Sequence, residues 1–143
     1  MAVLLVRHAE AGDRDRWEGP DGERPLTAEG HAQARGLTEV LAGYDVDRVL
    51  SSPSLRCTQT VEPLAAARGL PVEASDELAE GSGRVALRRV RSLLEGPGTV
   101  LCTHGDVVEE VLDGLGVRRS AETEKGATWA LEPGEARCLP PPA

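Results

Sequence analysis

Adjacent Arg7 and His8, then Arg56, then His104, are the residues of this 143-residue chain whose types could do chemistry together. A guanidinium presents a rigid fork of donors that matches phosphoryl oxygens. A neutral imidazole beside it can attack phosphorus and carry the group covalently. The same arginines would balance the charge spread over three equatorial oxygens in a phosphoryl-transfer transition state. Brought together, the four would form a phosphate pocket with a nucleophile inside. Taken singly, each has a plainer reading. His8 and His104 could be strand-end and loop histidines, and Arg7 and Arg56 could pair with carboxylates such as Glu10 or Glu62. His31 sits on an expected helix with no chemical company and is expected at solvent.

Spacing argues against the other phosphatase chemistries. A cysteine nucleophile would want an arginine six positions on, where Cys57 has Pro63 and Cys102 has Val108. Asp45-Val46-Asp47-Arg48-Val49 resembles an aspartate-nucleophile signature but precedes its apolar strand, at the wrong end of a sheet. No Gly-rich phosphate loop ending in Lys-Ser/Thr is present. The three histidines are scattered without metal-ligand spacing, so no metal and no other cofactor is expected.

The elements that must position the four residues follow from periodicity. Val3-Leu4-Leu5-Val6 is a short apolar run, as expected of a strand buried on both faces. Ala11 to Pro25 reads as a long polar loop, a kind that in compact domains is usually functional or mobile. Thr27 can cap a helix whose buried face is Ala34, Leu37 and Leu41, with Gly43 ending it. Arg48 to Ser51 is a second strand. Ser52-Pro53 reads as a helix start, with a capping serine and proline at the first helical position. Cys57, Val61, Leu64 and Ala65 face inward, and Gly69-Leu70-Pro71 stops the helix. Val85 to Leu94 is another helix. Thr99 to Cys102 is a third strand, and Val108, Val111, Leu112 and Leu115 mark a last helix. Ala127 to Leu131 reads as an edge strand, followed by a Pro-rich tail over 139–143.

Strands alternating with helices predict an α/β fold: a three-layer α/β/α sandwich around a mainly parallel sheet. The length suits a single domain over residues 1–143. In such sheets ligands bind beyond the carboxyl ends of the strands. Arg7-His8, Arg56 and His104 each follow one of the three strands, so one rim should receive all four. The helix near Pro53 would point its positive end there.

Composition narrows the partners. The net charge is −8, and no long basic run offers a face for a nucleic-acid backbone. The densest basic cluster, Arg84, Arg88, Arg89 and Arg91, reads as the solvated face of a helix. The apolar run before Arg7 is too short for a signal peptide or a membrane span. Three cysteines, odd in number and without a Cys-x-x-Cys pair, suggest neither a disulfide framework nor a zinc knuckle, and a reducing cytoplasm fits them best.

Four phrases in order resemble the histidine phosphatase superfamily, the phosphoglycerate-mutase-like proteins. They are Leu5-Val6-Arg7-His8-Ala9, Pro25-Leu26-Thr27-Ala28-Glu29-Gly30, Ser51-Ser52-Pro53-Ser54-Leu55-Arg56 and Thr103-His104-Gly105. The short length, Arg-His-Ala rather than Arg-His-Gly, and Arg24-Pro25-Leu26-Thr27 resemble its small phosphohistidine-phosphatase-type branch. The resemblance implies that His8 is phosphorylated and that Arg7, Arg56 and His104 hold the phosphoryl group. It also implies a proton donor in a Leu-x-Glu phrase, which Leu78-Ala79-Glu80 matches, with Glu77 a near rival. Two departures stand out: no asparagine lies between Gly12 and Trp17, and the insertions that build a deep sugar-phosphate pocket are missing, so a shallow site is expected.

The expected activity is metal-independent hydrolysis of a phosphomonoester or phosphoramidate, with a phosphorylated protein or a small phosphorylated metabolite as partner. The alternatives are a non-catalytic module that binds phosphoprotein and a nucleotide or sugar-phosphate hydrolase. Neither nucleic acid nor membrane is an expected partner, and the oligomeric state is not legible.

Overall fold

The computed structural model describes residues 2–142. Six strands form one sheet in the order β3-β2-β4-β1-β5-β6. The strands are β1 (Val3–Arg7), β2 (Arg48–Ser51), β3 (Val72–Ala74), β4 (Thr99–Thr103), β5 (Thr128–Glu132) and β6 (Glu135–Leu139). β1 to β4 are parallel to one another; β5 and β6 are added antiparallel. The expected sandwich with a mainly parallel sheet is thus the observed one.

Alternation along β1 builds two cores. Leu4 and Val6 face one side, where α1 (Ala28–Val40) and α2 (Leu55–Ala67) pack with Leu37, Val61 and Leu64. Val3 and Leu5 face the other, with Val90 of α3 (Gly83–Leu93) and Val108, Val111 and Leu112 of α4 (Gly105–Gly114). These four side chains of β1 are fully buried, each stabilising the fold by about 1.5–3 kcal/mol. No described helix is long and apolar enough to cross a membrane.

Several local expectations need correcting. α2 begins at Leu55 with Ser54 as its N-cap, not at Ser52-Pro53. The Ser52 amide instead extends the sheet by donating to Cys102 O at 2.9 Å, and its hydroxyl meets His104. α4 starts at Gly105, earlier than its apolar residues suggest. The strand expected at the edge, β5, lies between β1 and β6, because β6 folds back over a tight turn and takes the edge. Leu139 therefore belongs to β6, not to a tail. β3 was not legible in the sequence either. The loop from Ala11 to Pro25 contains two single-turn 3-10 helices, Arg14–Arg16 and Asp21–Glu23. His31 is half-buried on α1 rather than open to solvent.

Candidate active site

Parallel pairing sets the site. Register places Arg7 opposite Thr103 and Ser51 opposite Cys102, so the residues following each strand emerge side by side. His8 N donates to Thr103 O at 3.0 Å, continuing the β1–β4 ladder one step beyond the strands. The result brings His8 and His104 edge to face, with ring centroids 5.7 Å apart. Arg56, one residue into α2, is fully buried between them and the polar loop. Thr60 locks this helix to the segment that follows β1. Its hydroxyl donates to Arg56 O at 2.7 Å and accepts from Ala9 N at 3.0 Å.

His8 is held as a neutral, oriented ring. Its Nδ1 lies 2.8 Å from Ala9 O, which fixes the proton on Nδ1 and leaves the Nε2 lone pair free. Burial lowers its pKa from 6.5 to about 3, against the opposing pull of the Ala9 bond; Arg56, His104 and Arg7 push the same way as burial. His104 Nδ1 lies 3.3 Å from Arg56 Nη2, on the side facing Glu80, and its Nε2 lies 2.8 Å from Ser52 Oγ. The Cys57 thiol lies behind the ring, 3.7 Å from Nε2.

Both arginines are anchored at one end and unsatisfied at another. Arg7 Nη1 donates to Thr123 O at 2.6 Å, and Arg56 Nη1 to Asp21 O at 2.9 Å. The Nε atoms of both are buried with no protein acceptor. A buried N–H without a partner is costly, and a phosphoryl oxygen is an acceptor suited to each.

Arg56 does pair with carboxylates, as its plainer reading allowed, but not with Glu62. Nη2 meets Asp21 Oδ2 at 2.9 Å and Glu80 Oε1 at 2.7 Å. Asp21 was not legible as a site residue: nothing in its local sequence separates it from the other acids of the loop. Burial works against its charge, but Arg56, Arg24 and Arg14 outweigh it and hold the carboxyl below the usual range. Glu80 Oε1 also takes Arg14 Nη2 at 2.7 Å and lies 3.7 Å from His104 Nδ1. It stands where one phosphoryl oxygen could touch Arg56 and His104 together. The segment carrying it is pinned by the Thr103 hydroxyl donating to Leu78 O, and by Gly81 N donating to Asp106 Oδ2 at 2.9 Å. The rival Glu77 turns away toward Arg89, 3.8 Å off.

The site opens into a basin of about 470 Å³ whose lining includes Arg7, His8, Gly12 and Arg14. The basin is open to solvent on one side.

The sequence profile of the histidine phosphatase superfamily (branch 1) matches residues 3–86. His104 lies beyond that stretch, and the fold returns it to the site. The chain is 34% identical over 139 residues to an 8-oxo-(d)GTP phosphatase of Mycolicibacterium smegmatis, a match covering 90% of this chain and 43% of that protein. It is 37% identical over 76 residues to phosphohistidine phosphatase SixA of Escherichia coli, covering 52% of this chain and 45% of that protein. The matches therefore span less than half the length of either relative. The solved structure of the protein histidine phosphatase SixA complexed with tungstate superposes with a TM-score of 0.80 at 25% identity, covering 100% of this chain and 97% of that one. Sequence and fold agree, and the chain belongs to the histidine phosphatase superfamily, in its SixA-like branch.

Proposed function

We propose that the protein is a phosphatase that works through a covalent phosphohistidine on His8. The observation that carries this reading is the neutral imidazole with Nδ1 tied to Ala9 O and Nε2 free, beside two buried guanidinium N–H groups without acceptors. Arg7, Arg56 and His104 bind the phosphoryl oxygens. Nε2 attacks phosphorus, a nitrogen–phosphorus bond forms, and the bond to the leaving group breaks with its electron pair going to the leaving atom. The Ala9 carbonyl faces the positive charge that the ring then carries. The incoming phosphoryl displaces Glu80 from Arg56, and Glu80 acts as the general acid. Glu80 then donates its proton to the leaving atom. Water next attacks the phosphohistidine, Glu80 takes up the proton, and phosphate leaves with His8 neutral again. The arginines supply the positive charge, so the proposed route calls for no metal, and a chelator should leave the rate unchanged.

The substrate is a phosphorylated protein or a small phosphorylated metabolite. The likeness to SixA supports a phosphohistidine protein, whereas the match to an 8-oxo-(d)GTP phosphatase over 90% of the chain supports a nucleotide. Brief exposure to a ³²P-labelled phosphoryl donor, followed by quenching in alkali, tests the intermediate. Acid-labile, alkali-stable label on His8 is expected, and none on His8→Ala, which should also be inactive. Turnover by pure His8→Ala would overturn the mechanism. Tight binding of phosphoprotein with no label at any time would mark a non-catalytic binding module.

A further inference from the structure

Beyond the transferred phosphoryl group, the basin at His8 has room and charge that the proposed mechanism leaves unused. At about 470 Å³ it falls within the range of small-molecule sites, larger than one phosphoryl group would need. Four of its lining residues are cationic, Arg7, Arg14, Arg24 and Lys125, against one carboxylate, Asp13. The chain as a whole has a net charge of −8. Positive charge has been gathered here against the trend of the molecule.

Lys125 is the only lysine in the chain, and its place is fixed by backbone bonds to the nucleophile strand. Gly126 N donates to Arg7 O and His8 O, both at 3.1 Å, and Arg7 Nη1 reaches back to Thr123 O. The rim bearing Lys125 is thus bolted to His8. Its nearest carboxylate oxygen, Glu10 Oε1, is 3.5 Å away, a loose partner that leaves the ammonium available. Arg24 is a different kind of cation. Its side chain is 8% exposed, with Nε on Asp21 Oδ1 at 3.2 Å and Nη1 on Ala11 O at 2.8 Å. Nη2 has no hydrogen-bond partner among the described residues. Arg24 shapes the loop and keeps one donor spare; Lys125 lines the same basin and brings a compact point charge on a flexible stem.

We propose that Lys125 and Arg24 form a second anion subsite, which takes the penultimate phosphoryl group of a substrate ending in a diphosphate. The inference rests on the phosphatase reading and names its substrate class. A phosphohistidine leaving group is a neutral flat ring that gains nothing from two further cations. A diphosphate terminus gains in binding and also in departure. When His8 Nε2 bonds to the terminal phosphorus, the bridging oxygen keeps the electron pair of the broken bond. The leaving phosphoryl group then carries added negative charge, which the subsite cations stabilise. The same terminal group occurs in nucleoside diphosphates and triphosphates and in inorganic polyphosphate.

Competition against p-nitrophenyl phosphate turnover, in chelator, tests the subsite. Methylphosphonate offers one phosphonate; methylenediphosphonate offers two on a bridge that cannot be hydrolysed. The wild type should bind the diphosphonate about tenfold more tightly, equivalent to about 1.4 kcal/mol. Lys125→Gln should bring the ratio of the two inhibition constants toward one, and Lys125→Arg should preserve most of it. If the wild type shows no preference, or if Lys125→Gln keeps the whole of it, the subsite does not exist. α,β-Methylene-ADP separates the sources. Tighter binding than methylenediphosphonate assigns the group to a nucleotide, and equal binding to inorganic polyphosphate. A wild type that neither turns over p-nitrophenyl phosphate nor labels on His8 overturns the phosphatase reading itself. Normal turnover without diphosphonate preference overturns the subsite alone.

Discussion

An imidazole with an ordinary pKa would be half protonated near pH 6.5, and a protonated ring has no lone pair with which to attack phosphorus. Burial lowers the pKa of His8 to about 3, so the ring proposed as nucleophile is neutral throughout the physiological range. The ring's NMR signals should accordingly show no titration step between pH 8 and 4. The same shift has a stability sign. Between about pH 6.5 and 3 the unfolded chain takes up a proton at this residue and the native chain does not. Native stability must therefore fall as pH drops through that window, by at most about 1.4 kcal/mol per pH unit from this group. Urea midpoints at pH 7 and 5 should differ more for wild type than for His8→Gln; equal differences would mean that His8 is not buried neutral. Glu80 is tested by its leaving group. A general acid contributes about 10²–10⁴-fold where the leaving atom needs a proton. Glu80→Gln should therefore slow an alkyl phosphate far more than p-nitrophenyl phosphate. Equal losses on the two would remove Glu80 from the role, and Glu77, turned toward Arg89, could not take its place without rearrangement.

At the scale of elements, the turn from β4 into α4 shows how closely backbone and site are fitted. A Cβ on Gly105 would stand 2.8 Å from the Arg7 guanidinium carbon. Gly105→Ala should thus push Arg7 out of register and lower kcat/KM for p-nitrophenyl phosphate by about 10–100-fold, a loss of about 1.4–2.7 kcal/mol in the transition state, with little change in urea midpoint. Gly30→Ala makes the contrast. Its Cβ would fall 1.9 Å from Glu10 O, so it should cost about 1–3 kcal/mol of stability, seen as a lower urea midpoint. Similar stability losses in both would mean that Gly105 serves packing alone.

The elements also explain what could be read from sequence and what could not. Arg7, His8, Arg56 and His104 were legible because three parallel strands place them at one rim, and β1, β2 and β4 announce themselves as apolar runs. Ser52-Pro53 misled because the serine's hydroxyl faces His104 instead of capping the helix. β3 was hidden because it is three residues long and partly exposed, and β6 because most of it is exposed at the sheet edge. Asp21, Arg24 and Lys125 come to the site through loop geometry, and loops leave no periodicity to read. Glu80 was found only through a family phrase, because it too sits in a loop.

For the molecule as a whole, the proposed phosphate pocket, with its orphaned donors, would link anions to folding. Whatever binds only the native state stabilises it, by about 2.7 kcal/mol when the ligand is at a hundred times its Kd. For a domain near this size each kcal/mol raises Tm by about 2–4 °C. Inorganic phosphate should therefore raise the Tm of the wild type clearly. It should raise that of Arg56→Lys much less, since lysine keeps the charge but cannot bridge two oxygens. An undiminished shift in Arg56→Lys would put Arg56 outside the anion site.

β1, the strand that leads into His8, has no local partner. β1 pairs with β4 in the register Val3 to Thr99, and with β5 in the register Val3 to Leu131. Until those distant segments fold, the apolar run Val3 to Val6 has nothing to lie against, and closing loops of that length is what makes such topologies slow to fold. The rim that bears His8 is thus among the last features the chain can assemble. No stretch that stops short of β4 can bring His8 to His104, so the proposed pocket appears only together with the completed sheet.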